Sequence, residues 1–483
     1  MTEPRLRVGA ALASRLRDWT TLLRGHLALV ALVAVAAALR AVALVAVYPG
    51  IWFSDTNGYL TAATTGTLSV VRVSGYALFV APFVHLKSAA ALIVVQHLLG
   101  LAIVVLLYAL LVHRGVPRFL ALLAVIPAAL DAYVIAIEHM ILSETIFHLA
   151  VVGAIAALLW SDRPGVVTAA VAGLLLGYAG VVRSVAVPLV AVFVVYLLVR
   201  RVGLYRLAAF CAGCALVFGG YMTLYKIQHG QFAFTGWGGR FLYAKVAPFA
   251  DCKRLHDLPA DERSLCPDPR HPRGTVGYLW GRKSPLRGLP LSADSRLGDF
   301  GKRVVKAQPL SYARVVASDF FHYFEPGHRA RAGDSLVTTW QFPTDPGHWS
   351  YPGYRGPIRP MAPGPRRAIE PGPYVDGIVG RPSLNATASR FLHYYQLFFY
   401  TSGQVLAACV LVVIGGLAWR PRRGWRLRLD AALLAATALG ALLATSALAI
   451  FSVRYSLIAA ILLPGAAALA GTALLEARGR DDV

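Results

Sequence analysis

Charge is what this chain of 483 residues has least of: Asp, Glu, Lys and Arg together make up 15%, where a soluble protein carries about 25%. That shortage excludes a large soluble globular protein. Acid is scarcer than base, with 24 Asp and Glu against 47 Lys and Arg. Lysine in turn is scarce beside arginine, a bias that points to a GC-rich bacterial source. The net charge of +23 does not make a nucleic-acid binder. Much of the arginine sits in short clusters between apolar runs, where positive residues mark the cytoplasmic side of a membrane. The rest lies in a long polar segment, where it can meet anionic lipid headgroups or phosphates. Cysteine is sparse: Cys211, Cys214 and Cys409 fall within apolar runs as packing residues, which leaves Cys252 and Cys266 in the polar segment. Those two would pair in an oxidising compartment and stay free thiols in the cytoplasm, so topology decides between the readings. No His, Cys or acidic cluster has the spacing of a metal site, and no metal or cofactor is expected. No internal repeat is visible, which argues against a transporter built from repeated halves. A signal peptide is not expected either, because the first apolar run is too long and lacks a small-residue cleavage site.

What is present is a series of apolar runs, in a chain that is 57% hydrophobic with a mean hydropathy of +0.58. They lie at 27–48, 88–112, 119–137, 141–160, 166–182, 185–199, 206–225, 396–418, 429–451 and 454–474. A hydrocarbon core of about 30 Å takes about 20 residues of helix, so the fold class is an all-α polytopic membrane bundle of about ten helices. Short turns near Glu138 and Arg183 are where an eight- or nine-helix reading would merge blocks. The amino terminus (Arg5, Arg7, Arg15, Arg17, Arg24), the second junction (Arg114, Arg118), the fourth (Arg163), the sixth (Arg200, Arg201, Arg206), the eighth (Arg420, Arg422, Arg423, Arg426, Arg428) and the tail (Arg478, Arg480) are all basic. Every second junction therefore fits the cytoplasmic side, with both termini there too. The expected layout is a cytoplasmic amino terminus at 1–26, a bundle at 27–225, an extracytoplasmic domain at 226–395, carboxy-terminal helices at 396–474 and a cytoplasmic tail at 475–483. The domain at 226–395 is rich in Gly, Pro, Trp and Tyr and should be mostly irregular, with Ser295–Phe324 its best helix, interrupted at Pro309.

That topology exports a small set of chemistry-bearing residues. Asp55, in Phe53-Ser54-Asp55-Thr56-Asn57-Gly58-Tyr59, is the only acid of the 49–87 connection. Either Ser54 or Asp55 caps a helix starting near Thr56, or Asp55 is a general base at the membrane face. Arg72-Val73-Ser74-Gly75-Tyr76 leads into an apolar stretch too close to its neighbour to span alone, an interfacial or re-entrant element. Arg72 either snorkels to headgroups or holds a phosphate. Glu138, His139 and Glu144 sit at the ends of the third and fourth blocks. Ionisable groups at such depth default to functional hypotheses, against a pairing that locks helix ends, with Arg40 as partner; Glu138 is read as structural and Glu144 stays open. Arg183 and Arg454-Tyr455 lie at exported helix ends against the positive-inside bias, and a phosphate held by a guanidinium fork would explain them. Arg240 and Lys245, in Gly238-Gly239-Arg240-Phe241-Leu242-Tyr243-Ala244-Lys245, are further phosphate candidates. Tyr59, Tyr76, Trp237 and Trp340 could stack on sugar faces, although most exported aromatics anchor at the interface. His139 is a further candidate for contact with the acceptor.

At these residues the chain resembles the GT-C superfamily of membrane glycosyltransferases that use polyprenyl-phosphate sugars, among them protein mannosyltransferases, the aminoarabinose transferase of lipid A, and actinobacterial mannosyl- and arabinofuranosyltransferases. Asp55 with Tyr59 is similar to the acidic residue of the family's first exported loop, its catalytic base. Arg72–Tyr76 followed by Ala77-Leu78-Phe79 is similar to the Arg-x-Pro-Gly-Tyr-Pro-type run after that loop. Ser143-Glu144 and Arg454-Tyr455 resemble a Ser-Glu before a helix and an Arg-Tyr opening the last helix. Thr56 stands where the family commonly has a second acid, and Ser74 where proline is usual. The resemblance covers 27–200 and 396–474. It implies an inverting transfer of a sugar, mannose or arabinofuranose, from a polyprenyl-phosphate donor to an envelope glycan, lipoglycan or protein acceptor on the extracytoplasmic face of the plasma membrane. Asp55 would be the base, Glu144 and Tyr59 its support, and Arg72, Arg183, Arg454, Arg240 and Lys245 the phosphate ligands. The rivals are an O-antigen-ligase or polymerase-like enzyme and a transporter or flippase, which needs a polar path that Arg40, Gln96, His97 and Asp131 within the helices are too few to line.

Overall fold

The computed structural model describes residues 25–256, 258–268, 273–281, 283–327, 331, 337–344, 383–418 and 424–478. Arg5, Arg7, Arg15, Arg17, Arg24, Arg420, Arg422, Arg423 and Arg480, with much of the Gly- and Pro-rich stretch after Gly327, lie outside the described residues. In chain order the helices are α1 (Leu27–Ala46), α2 (Ser54–Thr65), α3 (Gly75–His85), α4 (Ala89–His113), α5 (Arg118–Leu130), α6 (Ala132–Glu138), α7 (Glu144–Leu159), α8 (Val166–Val182), α9 (Leu189–Val199) and α10 (Leu204–His229). A second group follows, α11 (Gly238–Val246), α12 (Thr275–Trp280), α13 (Ala293–Ala307) and α14 (Pro309–His322), and then α15 (Ala386–Phe398), α16 (Gly403–Ala418), α17 (Trp425–Leu448) and α18 (Leu457–Arg478). Two short strands, β1 (Val47–Tyr48) and β2 (Ser383–Leu384), pair antiparallel and bring the start of α15 back beside the end of α1.

Among the described residues, α1, α4, α10, α17 and the segment Val453–Glu476 are each long and apolar enough to cross a membrane, and the bent pairs α5–α6 and α15–α16 raise the number from five to seven. The other three expected spans are α7, α8 and α9, of 16, 17 and 11 residues. At 1.5 Å per residue the longest of these is about 26 Å, short of a core of about 30 Å. The protein is an all-α membrane protein by helix length and composition, with five to seven candidate spans among the described residues.

Two of the expected continuous blocks are broken, and the breaks satisfy each other. Asp131 interrupts 119–137 with a bend of 50° between α5 and α6, and a bend of 44° separates α15 from α16. The Asp131 carboxylate accepts from Tyr133 and Val134 N–H, capping α6, and from Thr401 N–H across the chain at 2.7 Å. Ala132 N–H donates to Phe399 C=O at 2.9 Å. Backbone groups freed inside a bundle have no water to turn to, so each interruption supplies partners for the other. The helix before the second bend, α15, is polar enough (Arg390, His393, Gln396) to escape a count of apolar residues, and it carries the expected boundary at 395 inside a helix capped by Asn385.

Core packing runs α8 along α10, α7 against α8, α4 against α7, and α18 between α16 and α17. At one end of α7 the basic junctions converge. Arg114 pairs with Asp162 at 3.0 Å and with the fully buried Asp430 at 2.8 Å. Asp430 also receives Tyr196 at 2.8 Å and Arg200 at 3.4 Å, and Arg426 pairs with Asp162. The second, fourth, sixth and eighth junctions thus share one end of the bundle. Inside it, Arg40 donates from Nε to Glu138 at 2.7 Å and from Nη2 at 2.9 Å, the pairing expected of Glu138. The helical stretch expected at Ser295–Phe324 is α13 and α14, meeting at Pro309. The group α11–α13 has its own core around Tyr243, Leu297 and Phe300, and docks on the bundle through Lys245 to Asp319 and to Ala449 C=O.

Two predictions follow from this packing. A Cβ at Gly100 would lie 2.0 Å from Glu138 Oε1, so Gly100→Ala must push the carboxylate off Arg40. Breaking a buried pair costs about 3–5 kcal/mol, and thermal unfolding in one detergent should show it. Gly219→Ala, with open space at its Cβ, should be neutral or stabilise by up to about 1 kcal/mol; equal melting of the two variants refutes the argument. Cys252 and Cys266 are disulfide-bonded with a sequence separation of 14, a closure worth about 3 kcal/mol. Alkylation of denatured, unreduced protein should label neither, and full labelling of both would overturn the pairing.

Candidate functional site

A cavity of about 850 Å³ opens between the bundle and the α11–α12 group, within the size range of small-molecule sites. Its polar part is lined by Asp55, Tyr59, Arg72, Ser143, Arg183, Ser452 and Arg454, and its apolar part by residues such as Val73, Val185, Phe241, Leu279 and Leu448. Residues from the first connection, from the turn before α7, from the end of α8 and from the start of the last helix thus meet on one wall.

Each is held by local structure. The chain enters α2 extended at Phe53, and it is Thr56, not Ser54 or Asp55, that caps it: Phe53 N–H donates to Thr56 Oγ1 at 3.2 Å. Thr56 in turn donates to Ile141 C=O at 3.1 Å, tying α2 to the turn before α7. The Asp55 side chain is left to face Arg72 and Arg454. The Arg72 loop is pinned by the end of α10, where Gln228 accepts from Leu68 N–H at 2.7 Å and Tyr221 accepts from Ser74 N–H at 3.1 Å. Gly75 follows because α3 abuts α8, where an added Cβ would meet Val181 C=O at 2.5 Å. Arg183 ends α8 in extended conformation, and Arg454 lies in the single turn Val453–Ser456 before α18.

The geometry is an alternating chain of charges. Arg72 pairs with Asp55 Oδ1, and Arg454 Nη1 and Nη2 lie 3.3 and 3.4 Å from Asp55 Oδ2. Arg454 is also 3.5 Å from Glu144 Oε1, which Arg183 approaches to 2.5 Å. The Arg454 guanidinium stands 4.9 Å from the ring centres of Trp340 and Tyr455 and 5.4 Å from Phe53, with Nη2 donating to the Tyr455 hydroxyl at 3.0 Å. Arg183 lies over Tyr455 at 5.1 Å. Burial by itself raises the Asp55 carboxyl, but Arg454 and Arg72 together outweigh it and hold it below the usual carboxylate range. Burial and then the Asp55 charge push the Tyr59 phenol up, so its hydroxyl stays protonated and donates to Ser143 Oγ at 3.2 Å. Among the described residues, the buried Trp340 Nε1 and Ser452 Oγ on the cavity wall have no hydrogen-bond partner. Buried polar atoms are rarely left so, and these are available to a ligand.

Five expected site residues are placed elsewhere. Arg240 is buried against Asp294 at 3.2 Å and the carbonyls of Leu289 and Pro290, and Lys245 is buried against Asp319; neither lines the cavity. His139 spends both ring nitrogens inside the bundle, on His97 at 3.0 Å and on Val47 C=O at 2.7 Å. Tyr76 is fully buried with its hydroxyl on Gln96 Oε1, behind Tyr59. Trp237 lies off the wall, stacked on Trp280, which lines it. Glu144 lies just behind the wall that Ser143 forms. Sequence reasoning missed Ser452 and Trp280, for which no spacing signal exists.

Removing Arg454 should release Asp55. In Arg454→Gln the Asp55 pKa should rise by about one to three units, read as the pH midpoint of the infrared carboxyl band that disappears in Asp55→Asn. In the native protein the ion pairs stabilise above the ordinary Asp value and are lost as pH falls through the depressed one, so the variant should lose this contribution at higher pH. An unmoved midpoint would mean that Arg72 alone sets the charge of Asp55.

No family model, curated protein or solved structure matches this chain, and the roles of these residues rest on their geometry.

Proposed function

We propose that the protein is an inverting glycosyltransferase that moves a sugar, mannose or arabinofuranose, from a polyprenyl-phosphate donor to a cell-envelope acceptor. The observation that carries the reading is the convergence of Asp55, Arg72, Arg183 and Arg454 on a wall that turns apolar within the same cavity. A lipid-linked sugar phosphate needs those features together: an apolar surface for the chain, guanidinium forks for the phosphate, and a carboxylate for the incoming hydroxyl. The acceptor oxygen attacks the anomeric carbon as the bond to phosphate breaks. Its proton passes to Asp55, and the lipid phosphate departs to the arginines, which stabilise the growing charge. One displacement inverts the centre.

Charge favours this donor class. Three guanidinium groups against the carboxylates of Asp55 and Glu144 leave one positive charge in excess. A phosphodiester brings one negative charge, so it neutralises the site, whereas a diphosphate-linked donor of a ligase or polymerase overshoots it. A flippase needs a polar path through the bundle. Arg40, Gln96, His97 and Asp131 are instead engaged with Glu138, Met140, His139 and Thr401, which supports the enzyme reading. On this reading the bundle has ten spans, counting the short α7, α8 and α9, with the basic junctions and both termini cytoplasmic and the cavity on the extracytoplasmic face of a bacterial plasma membrane.

The test is Asp55→Asn in purified enzyme. Transfer from short-chain polyprenyl phosphomannose or phosphoarabinofuranose should fall about 10²–10⁴-fold while donor binding persists. Near-normal turnover would reduce Asp55 to an anchor for two arginines.

A further inference from the structure

Glu144 has a place in the charge chain that the transfer reaction as written does not use. It is 2% exposed, it lies behind the cavity wall, and Oε2 makes no hydrogen bond. Oε1 faces two guanidinium groups, Arg183 at 2.5 Å and Arg454 at 3.5 Å, as ion pairs without hydrogen-bond alignment. Asp55 faces two as well, Arg72 and Arg454. Arg454 is thus shared between a carboxylate on the wall and a carboxylate behind it. An unspent acceptor at such depth is costly unless a donor can turn to it.

We propose that Glu144 is a positioning residue for Arg454: it is the second carboxylate that draws this guanidinium off Asp55 and frees the base for the acceptor hydroxyl. A carboxylate tied to two arginines is a poor base, and each ion pair that loosens returns basicity to it. The move required is small. Arg454 is already 3.3 Å from Asp55 and 3.5 Å from Glu144, and the rings of Phe53, Trp340 and Tyr455 confine the guanidinium to the gap between them. Phosphate bound on the cavity side adds a third anionic partner and completes the transfer. Fixed depth suits Glu144 to this role, because α7 begins at this residue and Arg183 anchors it from the end of α8. The charged and titratable groups facing the pair are Arg72, Tyr59, Tyr76, Arg183, Tyr455 and, one turn further along α7, His148. Of these only the arginines carry charge opposite to Asp55.

This inference rests on Asp55 acting as base in glycosyl transfer, and the experiment separates the two claims. Glu144→Gln keeps the shape and removes the charge, leaving Arg454 to Asp55 alone. The Asp55 infrared midpoint should then move down by about one unit. With polyprenyl phosphomannose and phosphoarabinofuranose, kcat should fall up to about tenfold, its acidic limb should shift to lower pH, and KM for the donor should not rise. Glu144→Asp, which restores the charge, should recover most of kcat and return the limb. A structural role alone would raise KM, leave the limb in place and give no rescue by Asp. An unmoved Asp55 midpoint in folded Glu144→Gln refutes the positioning role whatever the substrate. If that variant does not fold, Arg183→Gln tests the same point from the other side, because an unanchored Glu144 should take more of Arg454 and move the Asp55 midpoint up; no movement refutes the role equally. If the wild type transfers from neither donor, the functional reading fails, while the midpoint still decides the positioning role.

Discussion

Everything at the cavity depends on one guanidinium. Arg454 reaches Asp55 across 399 positions of sequence, and with it the first connection of the chain is fastened to its last helix. The aromatic rings of Phe53, Trp340 and Tyr455 hold it in orientation, and the two carboxylates hold it in charge. The rings matter as much as the acids. A guanidinium is weakly hydrated and stacks well on aromatic faces, so it can stand at a buried wall without collapsing fully onto either acid. Replacing it by lysine would keep the charge and lose both the fork and the stacking.

The same economy of polar partners governs the rest of the bundle. Arg40 with Glu138 and His97, Asp131 with Thr401, and Asp430 with Arg114, Arg200 and Tyr196 each place a buried ionisable group against donors from other segments. In a helix bundle of this composition such groups are costly alone, and each network ties segments distant in sequence. The broken helices follow from this. A bend exposes backbone groups, and here the two bends supply partners to each other, Thr401 N–H to Asp131 and Ala132 N–H to Phe399 C=O.

Part of this was legible in the chain itself. Apolar runs are a local signal, and they located helical segments such as α8, while the proline itself marked the break at Pro309. Asp55, Arg72, Arg183 and Arg454 stood out for local reasons too, an acid alone in its connection, an arginine before an interfacial element and two arginines against the expected charge bias, and those four line one cavity. What the chain concealed is decided by tertiary partners. Whether Arg240 faces a ligand or Asp294 depends on where α13 packs, and His139 is consumed by His97 and Val47, 42 and 92 positions away. Helix α15 was hidden because its aromatic and polar face reads as irregular sequence, and the break at Asp131 because one acid in an apolar block does not reveal that a second break lies opposite.

A site with an odd charge must also tolerate the end of its reaction. On the proposed reading, the wall's own side chains carry one excess positive charge and the donor phosphodiester cancels it. During transfer the acceptor proton neutralises Asp55, which leaves two excess positive charges, while the departing lipid phosphate, now a monoester, carries close to two negative ones. Substrate and product states are therefore both near neutral, although a proton and a sugar have moved. That balance requires one carboxylate that receives the proton and one that serves as a counter-charge to the arginines. Asp55, on the wall and within reach of solvent, can take the proton. Glu144 lies behind it, paired with Arg183 at 2.5 Å. Two acids at equal depth would compete for the same proton and split the population of competent sites. Their separation by one layer of the wall gives base and counter-charge different roles with the same functional group.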